Sequence, residues 1–226
     1  MPEAISRAVD LKRIYTVGGE EVPAVDGISL ELHAGQFLAI MGPSGSGKST
    51  LLSLLAGLER PTSGEVWLDG LRIDNLQDAE LSRLRRNRIG FVFQTFNLLP
   101  VLSLEENVAL PFVLEGQKKS QWAAKVDEAL AWVDLSHRKG HLPMDTSVGE
   151  RQRAAVARAL VTQPPIVFAD EPTGSLDSKR SSDVLDLLEG LSRERGHTVV
   201  MVTHNESLAS RVDRVVRLRD GRVVSS

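Results

Sequence analysis

The stretch Gly42-Pro43-Ser44-Gly45-Ser46-Gly47-Lys48-Ser49-Thr50 stands between a compact apolar run, Gln36 to Met41, and a segment, Leu51 to Leu58, whose leucines recur at helical spacing. The order is strand, glycine-rich loop, helix, and it decides how the rest of the chain is read. Three glycines let successive backbone N–H groups curl toward one anion, and the helix N-terminus adds the positive end of its dipole. The pattern G-x-x-x-x-G-K-[ST] also supplies Lys48 for the β- and γ-phosphates of a nucleotide and the Ser49 hydroxyl for a magnesium ion. Gly42, Ser44, Gly45, Ser46, Gly47, Lys48, Ser49 and Thr50 are therefore the candidate phosphate-binding residues. A bare glycine turn before a helix is the plainer reading, but it leaves the lysine and hydroxyl at this spacing without a purpose.

A second apolar run, Ile166 to Ala169, ends in two carboxylates, Asp170 and Glu171. In a parallel sheet the carboxyl ends of strands meet at the ligand crevice. One carboxylate suits a metal shell and the other suits water, so Asp170 is the candidate magnesium ligand. Glu171 is the candidate base for water attacking a γ-phosphate in line.

Outward from these two points the chain reads as α/β. Short strands are expected between Ala8 and Leu32 with a loop over Gly18 to Pro23, and hairpin turns at Asp69-Gly70 and Asp220-Gly221. Thr198 to Thr203 is another apolar strand, separated from Ile166 to Ala169 by a helical stretch, Lys179 to Arg195. Between Gln94 and Thr146 only helical periodicity appears, as at Trp122, Val126, Ala129, Leu130 and Val133. The expected architecture is one domain over residues 1–226. Its phosphate-loop core has a parallel sheet and an N-terminal antiparallel part (1–93 and about 150–226), with a helical subdomain inserted at about 94–149.

The 226 residues include 27 Lys and Arg against 30 Asp and Glu, a net charge of −3, so no global positive field draws in nucleic acid or anionic lipid. The cluster Arg83, Arg85, Arg86 and Arg88 is short and lacks interleaved aromatics, as a solvated helix face would, and no direct nucleic-acid contact is expected. There is no cysteine, which excludes disulfides, thiol catalysis and cysteine-ligated metal. No apolar run approaches the ~18 residues of a membrane span and the first fifteen residues hold no apolar stretch, so neither a span nor a secretion signal is expected.

Several further motifs, in order and across the whole chain, resemble the ATP-binding cassette ATPases. Gln94, after the strand Gly90 to Phe93, is similar to the family's Q-loop glutamine, which implies contact with Mg²⁺ and a hinge for the helical subdomain. Ser175-Leu176-Asp177 resembles the D-loop, and His204 resembles the switch histidine that senses the γ-phosphate. Tyr15, the only tyrosine, lies where the family stacks an aromatic ring on adenine. The resemblance implies an ATPase using ATP and Mg²⁺, with Glu171, His204 and Gln94 catalytic and Ser49, Gln94 and Asp170 at the metal. The stretches Glu20 to Val25, Phe96 to Pro100 and Asp170 to Gly174 most resemble the lipoprotein-release and macrolide-export branch. That implies a second such chain, most simply an identical one, and an integral membrane permease docked near Phe96, Leu98 and Leu99. It also implies a place on the cytoplasmic face of the membrane.

The family signature, Leu-Ser-Gly-Gly followed by Gln or Glu, is altered here to Thr146-Ser147-Val148-Gly149-Glu150. Ser147 and Glu150 still form a capping box, and Ser147 and Gly149 remain candidates for the facing subunit's nucleotide. A β-branched Val148 resists a left-handed backbone, so impaired contact across the dimer is the expectation if that position needs positive φ. Two other readings stay open: a soluble cassette regulator acting on nucleic acid or ribosomes, and a nucleotide-binding assembly module with little turnover.

Overall fold

A computed structural model of the protein describes residues 4–174 and 178–225. Two long strands, β1 (Ala4–Val17) and β2 (Glu20–His33), pair antiparallel. They are followed by β3 (Phe37–Met41), α1 (Lys48–Leu55), β4 (Ser63–Leu68), β5 (Leu71–Arg72), α2 (Asp78–Arg88) and β6 (Ile89–Val92). Next come α3 (Leu104–Val113), α4 (Lys119–Trp132), α5 (Val148–Leu160), β7 (Ile166–Asp170) and α6 (Ser178–Arg193). The chain ends in β8 (Thr198–Thr203), β9 (Arg214–Arg219) and β10 (Arg222–Ser225).

Two sheets result. The antiparallel one runs β2-β1-β4-β5, and the other runs β10-β9-β3-β8-β7-β6. In the second, β6, β7, β8, β3 and β9 are parallel, and β10 closes the edge as a hairpin with β9. Strand alternation sorts the parallel sheet into two cores. Leu38, Ile40, Ile166, Phe168, Val200 and Val202 face α1 and the antiparallel sheet; Phe37, Ala39, Met41, Val167, Ala169, Val199 and Met201 face α3 to α6. α1 lies in the first core, which is why Leu51, Leu52, Leu54 and Leu55 are all buried.

The two Asp-Gly pairs form tight hairpins as expected, with φ of 51° and 73° at Asp69-Gly70 and 49° and 73° at Asp220-Gly221. The N-terminal loop is shorter than the sequence suggests. Gly18 and Gly19, at φ 61° and 89°, make the whole turn, and Glu20 to Pro23 stay in the ladder, Pro23 opposite Ile14. Proline survives there because β2 is an edge strand with one side free of ladder bonds. α1 starts at Lys48 rather than Leu51, directly on the glycine loop, and the left-handed Gly57 follows its end. No strand lies between β6 and β7, and α3, α4 and α5 share one continuous core with the sheet. Among the described residues no helix is long and apolar enough to cross a membrane.

Candidate nucleotide site

The glycine loop leaves the end of β3 and is pressed between two other chain segments. A Cβ on Gly42 would lie 2.2 Å from the Leu218 carbonyl oxygen, and one on Gly47 would lie 2.0 Å from that of Ala24. Only glycine fits at either place. Gly47 is also the N-cap of α1, at φ 93°, and offers no capping side chain. The first N–H groups of that helix, which have no intrahelical acceptor, are left for an outside group. Lys48 is buried at 6% exposure, and its Nζ donates to the Pro43 carbonyl at 2.8 Å, curling back over the loop. Among the described residues Lys48 forms no ion pair, and the buried Ser46 hydroxyl has no partner. A buried cation, an uncapped helix end and an orphaned hydroxyl around one hollow fit an anion such as a phosphate chain.

The ends of the parallel strands bring the other candidates to the same place. Ser49 Oγ donates to Asp170 Oδ1 at 2.9 Å, joining α1 to β7. Burial pushes the Asp170 carboxyl above the usual carboxylate range and the adjacent Glu171 charge adds to this, while the Ser49 hydroxyl and Lys48 oppose it. No cluster of three or more His, Cys, Asp or Glu suited to a metal occurs among the described residues. The donor set is thus one hydroxyl and one carboxylate, hard oxygens that fit Mg²⁺ completed by phosphate and water.

Glu171 leaves the strand with a left-handed backbone, φ 42°, held by its N–H to the Val202 carbonyl at 3.1 Å and its own carbonyl to the Gly174 N–H at 3.0 Å. This turn aims the carboxylate at two residues that are distant in sequence. Gln94 Nε2 donates to Glu171 Oε2 at 3.4 Å, and His204 Nδ1 lies 3.5 Å from the same oxygen. Gly174 lies beside this pair: a Cβ there would only reach ordinary contact with Glu171 Oε2, at 3.4 Å, and Gln94 Nε2, at 3.5 Å.

Tyr15 lies on β1 opposite Val22, two residues before the Ala24 that touches the loop. Its hydroxyl donates to Glu59 Oε2 at 2.6 Å, and the Arg13 guanidinium covers one ring face at 4.7 Å. Only the other face is left for a base, and Arg13 is a neighbour that sequence reasoning missed.

Ser147 and Gly149 stand apart from the loop. Ser147 caps α5, its Oγ accepting from the Glu150 N–H at 3.2 Å and its N–H donating to Glu150 Oε2 at 2.7 Å. The expected strain at Val148 is absent. Val148 is the first residue of α5 and has no positive φ, because the capping box starts the helix immediately after Ser147. Buried Thr146, where the family has leucine, meets its polar need by donating to the Pro143 carbonyl at 2.8 Å. Ser175-Leu176-Asp177 lies outside the described residues.

The expected docking residues divide. Leu99 is 46% exposed, whereas Leu98 and Phe96 are half-buried, Leu98 packing against the helical core. Val101, 80% exposed, adds to the outward side and was overlooked. Buried Asn107 and half-buried Arg158, which grip this loop, were also overlooked. An asparagine on the apolar face beside Leu104 and Val108 was the available signal. Of the arginine cluster, Arg85 donates to the Gly57 carbonyl, Arg86 pairs with Glu115 and Arg88 with Asp69. Three of its four charges are thus engaged within the chain.

Comparison with known proteins agrees with this geometry. The family described as ABC transporter matches residues 25–174. The chain is 47% identical to the lipoprotein-releasing system ATP-binding protein LolD of Geobacter metallireducens, over 98% of this chain and 99% of that one. It is equally identical to the ABC transporter ATP-binding protein YvrO of Bacillus subtilis, over 95% and 93%. The macrolide export ATP-binding/permease protein MacB of Rhodospirillum rubrum is 45% identical over 99% of this chain, which spans only 34% of that longer protein. Among solved structures, the dimeric bacterial ABC transporter cassette MJ0796 superposes with a TM-score of 0.90 at 41% identity over 97% of both chains. A dimeric post-hydrolysis state of MJ0796, bound to ADP and Pi, gives 0.90 at 40%. With the phosphate cradle, the carboxylate pair and these matches covering nearly its whole length, the chain belongs to the ABC transporter family.

Proposed function

We propose that the chain is the ATP-hydrolysing subunit of a membrane export or extraction complex, working as a pair of identical chains on the cytoplasmic face of a separate membrane partner. The observation that carries the catalytic part is the convergence of Gln94 and His204 on one oxygen of Glu171, beside the Ser49–Asp170 pair at the mouth of the cradle.

In this reading the phosphates lie on the N-terminus of α1, with Lys48 turning from the Pro43 carbonyl to the β- and γ-oxygens. Adenine stacks on the open face of Tyr15, and Ser147 and Gly149 meet the γ-phosphate of the facing chain. Ser49, Asp170 and Gln94 would hold Mg²⁺. When bound, the ion neutralises charge on the phosphate oxygens. Glu171 Oε2 accepts a proton from water as the water oxygen bonds to the γ-phosphorus and the bond to the β–γ bridging oxygen breaks, leaving ADP. Gln94 and His204 orient that carboxylate and read whether a γ-phosphate is present. The exposed Leu99 and Val101 on the loop after Gln94 form the docking surface for the permease.

The names of similar proteins, an ATP-binding protein of a lipoprotein-releasing system and an export ATP-binding/permease protein, support the export or extraction setting. The dimeric MJ0796 cassette supports the pairing. The test is phosphate release from Mg-ATP by the purified chain, with and without the membrane protein that co-purifies with it. Turnover that rises with the partner and disappears in Lys48→Ala is expected. Turnover indifferent to Lys48→Ala would overturn the assignment.

A further inference from the structure

The loop after Gln94 is gripped from inside by two helices. From α5, the half-buried Arg158 donates both Nη groups to consecutive carbonyls, those of Phe96 at 2.7 Å and Asn97. From α3, the fully buried Asn107 accepts the Leu99 N–H at 2.7 Å and donates to the Leu99 and Leu102 carbonyls at 3.0 and 2.9 Å. The first grip is the unusual one. Phe96 and Asn97 both have left-handed backbones, φ 58° and 48°, a conformation phenylalanine ordinarily avoids. Among the described residues Arg158 forms no ion pair, so a partly desolvated charge is spent on fixing two left-handed peptides, the first of them strained. A methionine of similar length would pack there without that cost.

Arg151 lies seven residues earlier, two turns back on the same face of α5. Its guanidinium stands 5.8 Å over the Phe96 ring and donates to the Thr146 carbonyl at 2.7 Å and the Pro143 carbonyl at 3.1 Å. One face of one helix therefore connects the peptide just before Ser147 to the peptides just after Gln94. α5 is a rigid rod of 13 residues capped at Ser147, so displacement of its N-terminus has no slack in which to dissipate before reaching Phe96.

We propose that Arg158, assisted by Arg151, is a positioning residue that ties the Ser147 end of α5 to the loop carrying Gln94, Leu99 and Val101, so that engagement of nucleotide and movement of the docking surface are one event. This rests on the function proposed above for Ser147 and for the loop. Without the grip, α5 still caps and still meets the nucleotide, but the loop no longer follows it.

The test is hydrogen exchange of the full chain in a Glu171→Gln background, with and without Mg-ATP, for Arg158→Met, Arg158→Lys and Asn107→Ala. With Arg158 intact, ATP is expected to raise protection together in the first turn of α5 and at residues 96–99. In Arg158→Met the α5 response and the ATP affinity stay, residues 96–99 exchange at least tenfold faster, and their response to ATP is lost. Arg158→Lys, which reaches one carbonyl with its charge kept, restores part of that response. Asn107→Ala loosens 99–103 yet leaves the ATP response at 96–97, which separates coupling from mere stiffness. A loop in Arg158→Met that still responds to ATP, or a loop in the Arg158 protein that never does, overturns the proposal. Phosphate release by the Glu171 form, measured in parallel, reports on the proposed ATPase function independently.

Discussion

Replacing Gly47 by alanine isolates what the glycine loop contributes. The added Cβ would lie 2.0 Å from the Ala24 carbonyl oxygen, where ordinary contact begins at 3.4 Å, so β2 or the loop must move by more than an ångström. Overpacking of this kind costs about 1–3 kcal/mol. The φ of 93° adds the left-handed penalty of roughly 1–2 kcal/mol for a residue with a Cβ. The movement falls on the N-cap of α1, so at least one N–H bond to phosphate is lost. Such charge-assisted bonds contribute about 1.5–3 kcal/mol, or roughly 10- to 150-fold in ATP affinity. Gly45→Ala is the matched control. Its φ is 78°, but nothing lies within 4 Å of the new Cβ, so it meets the backbone penalty without the clash. Titration with a fluorescent ATP analogue, alongside thermal denaturation with and without ATP, reads both effects. Gly47→Ala should lose at least ~10-fold more affinity than Gly45→Ala. Equal affinities in the two variants would refute the argument that close approach to Ala24 shapes the cradle.

Val148→Gly should leave steady-state ATP turnover within about threefold, because position 148 already begins a regular helix, and should weaken α5 by up to ~1 kcal/mol. A large acceleration on removing the side chain would restore the case for a low-turnover module. The Glu150 carboxyl lies below its ordinary value chiefly because it accepts the Ser147 backbone N–H, with the Ser147 hydroxyl and Arg138 adding and burial opposing. Its stabilisation is therefore complete above the unfolded value near ~4.3 and is lost as pH falls through the lower folded value. Urea denaturation of wild type and Glu150→Gln should show a stability gap at neutral pH that closes in acid, and a gap independent of pH would contradict this. Leu99→Asp with Val101→Asp should cut association with the membrane partner by at least tenfold with ATP affinity unchanged. Leu98→Asp should instead lower the thermal midpoint, since that side chain packs on the helical core.

What the sequence made legible is what local geometry encodes. The cradle, the Asp170–Glu171 pair and the two Asp-Gly hairpins each lie within a few adjacent residues, and each residue type admits few conformations at its position. The unbroken apolar runs of β3, β7 and β8 likewise announce strands covered on both faces. Features set by tertiary approach were hidden. Gly18-Gly19 could close a two-residue turn only because β2 is an edge strand that tolerates Pro23. Which of Leu98 and Leu99 faced inward depended on the loop between Gln94 and Ser103, whose path is set by Arg158 and Asn107 from helices far along the chain. The resemblance implied catalytic roles for Gln94, His204 and Glu171, but not that the first two meet on one oxygen of the third, and the left-handed turn at Glu171 that brings this about has no signature in residue type.

The most direct measurement of the central claim is ATP turnover and mass of the Glu171→Gln protein in Mg-ATP. Glutamine fills the same space but accepts no proton from water, and loss of a general base costs about 10²- to 10⁴-fold. The account predicts retained ATP affinity, turnover reduced by at least ~100-fold, and an ATP-dependent doubling of mass as two chains close without being released by hydrolysis. Unchanged turnover in Glu171→Gln, with ATP bound as in wild type, would contradict it.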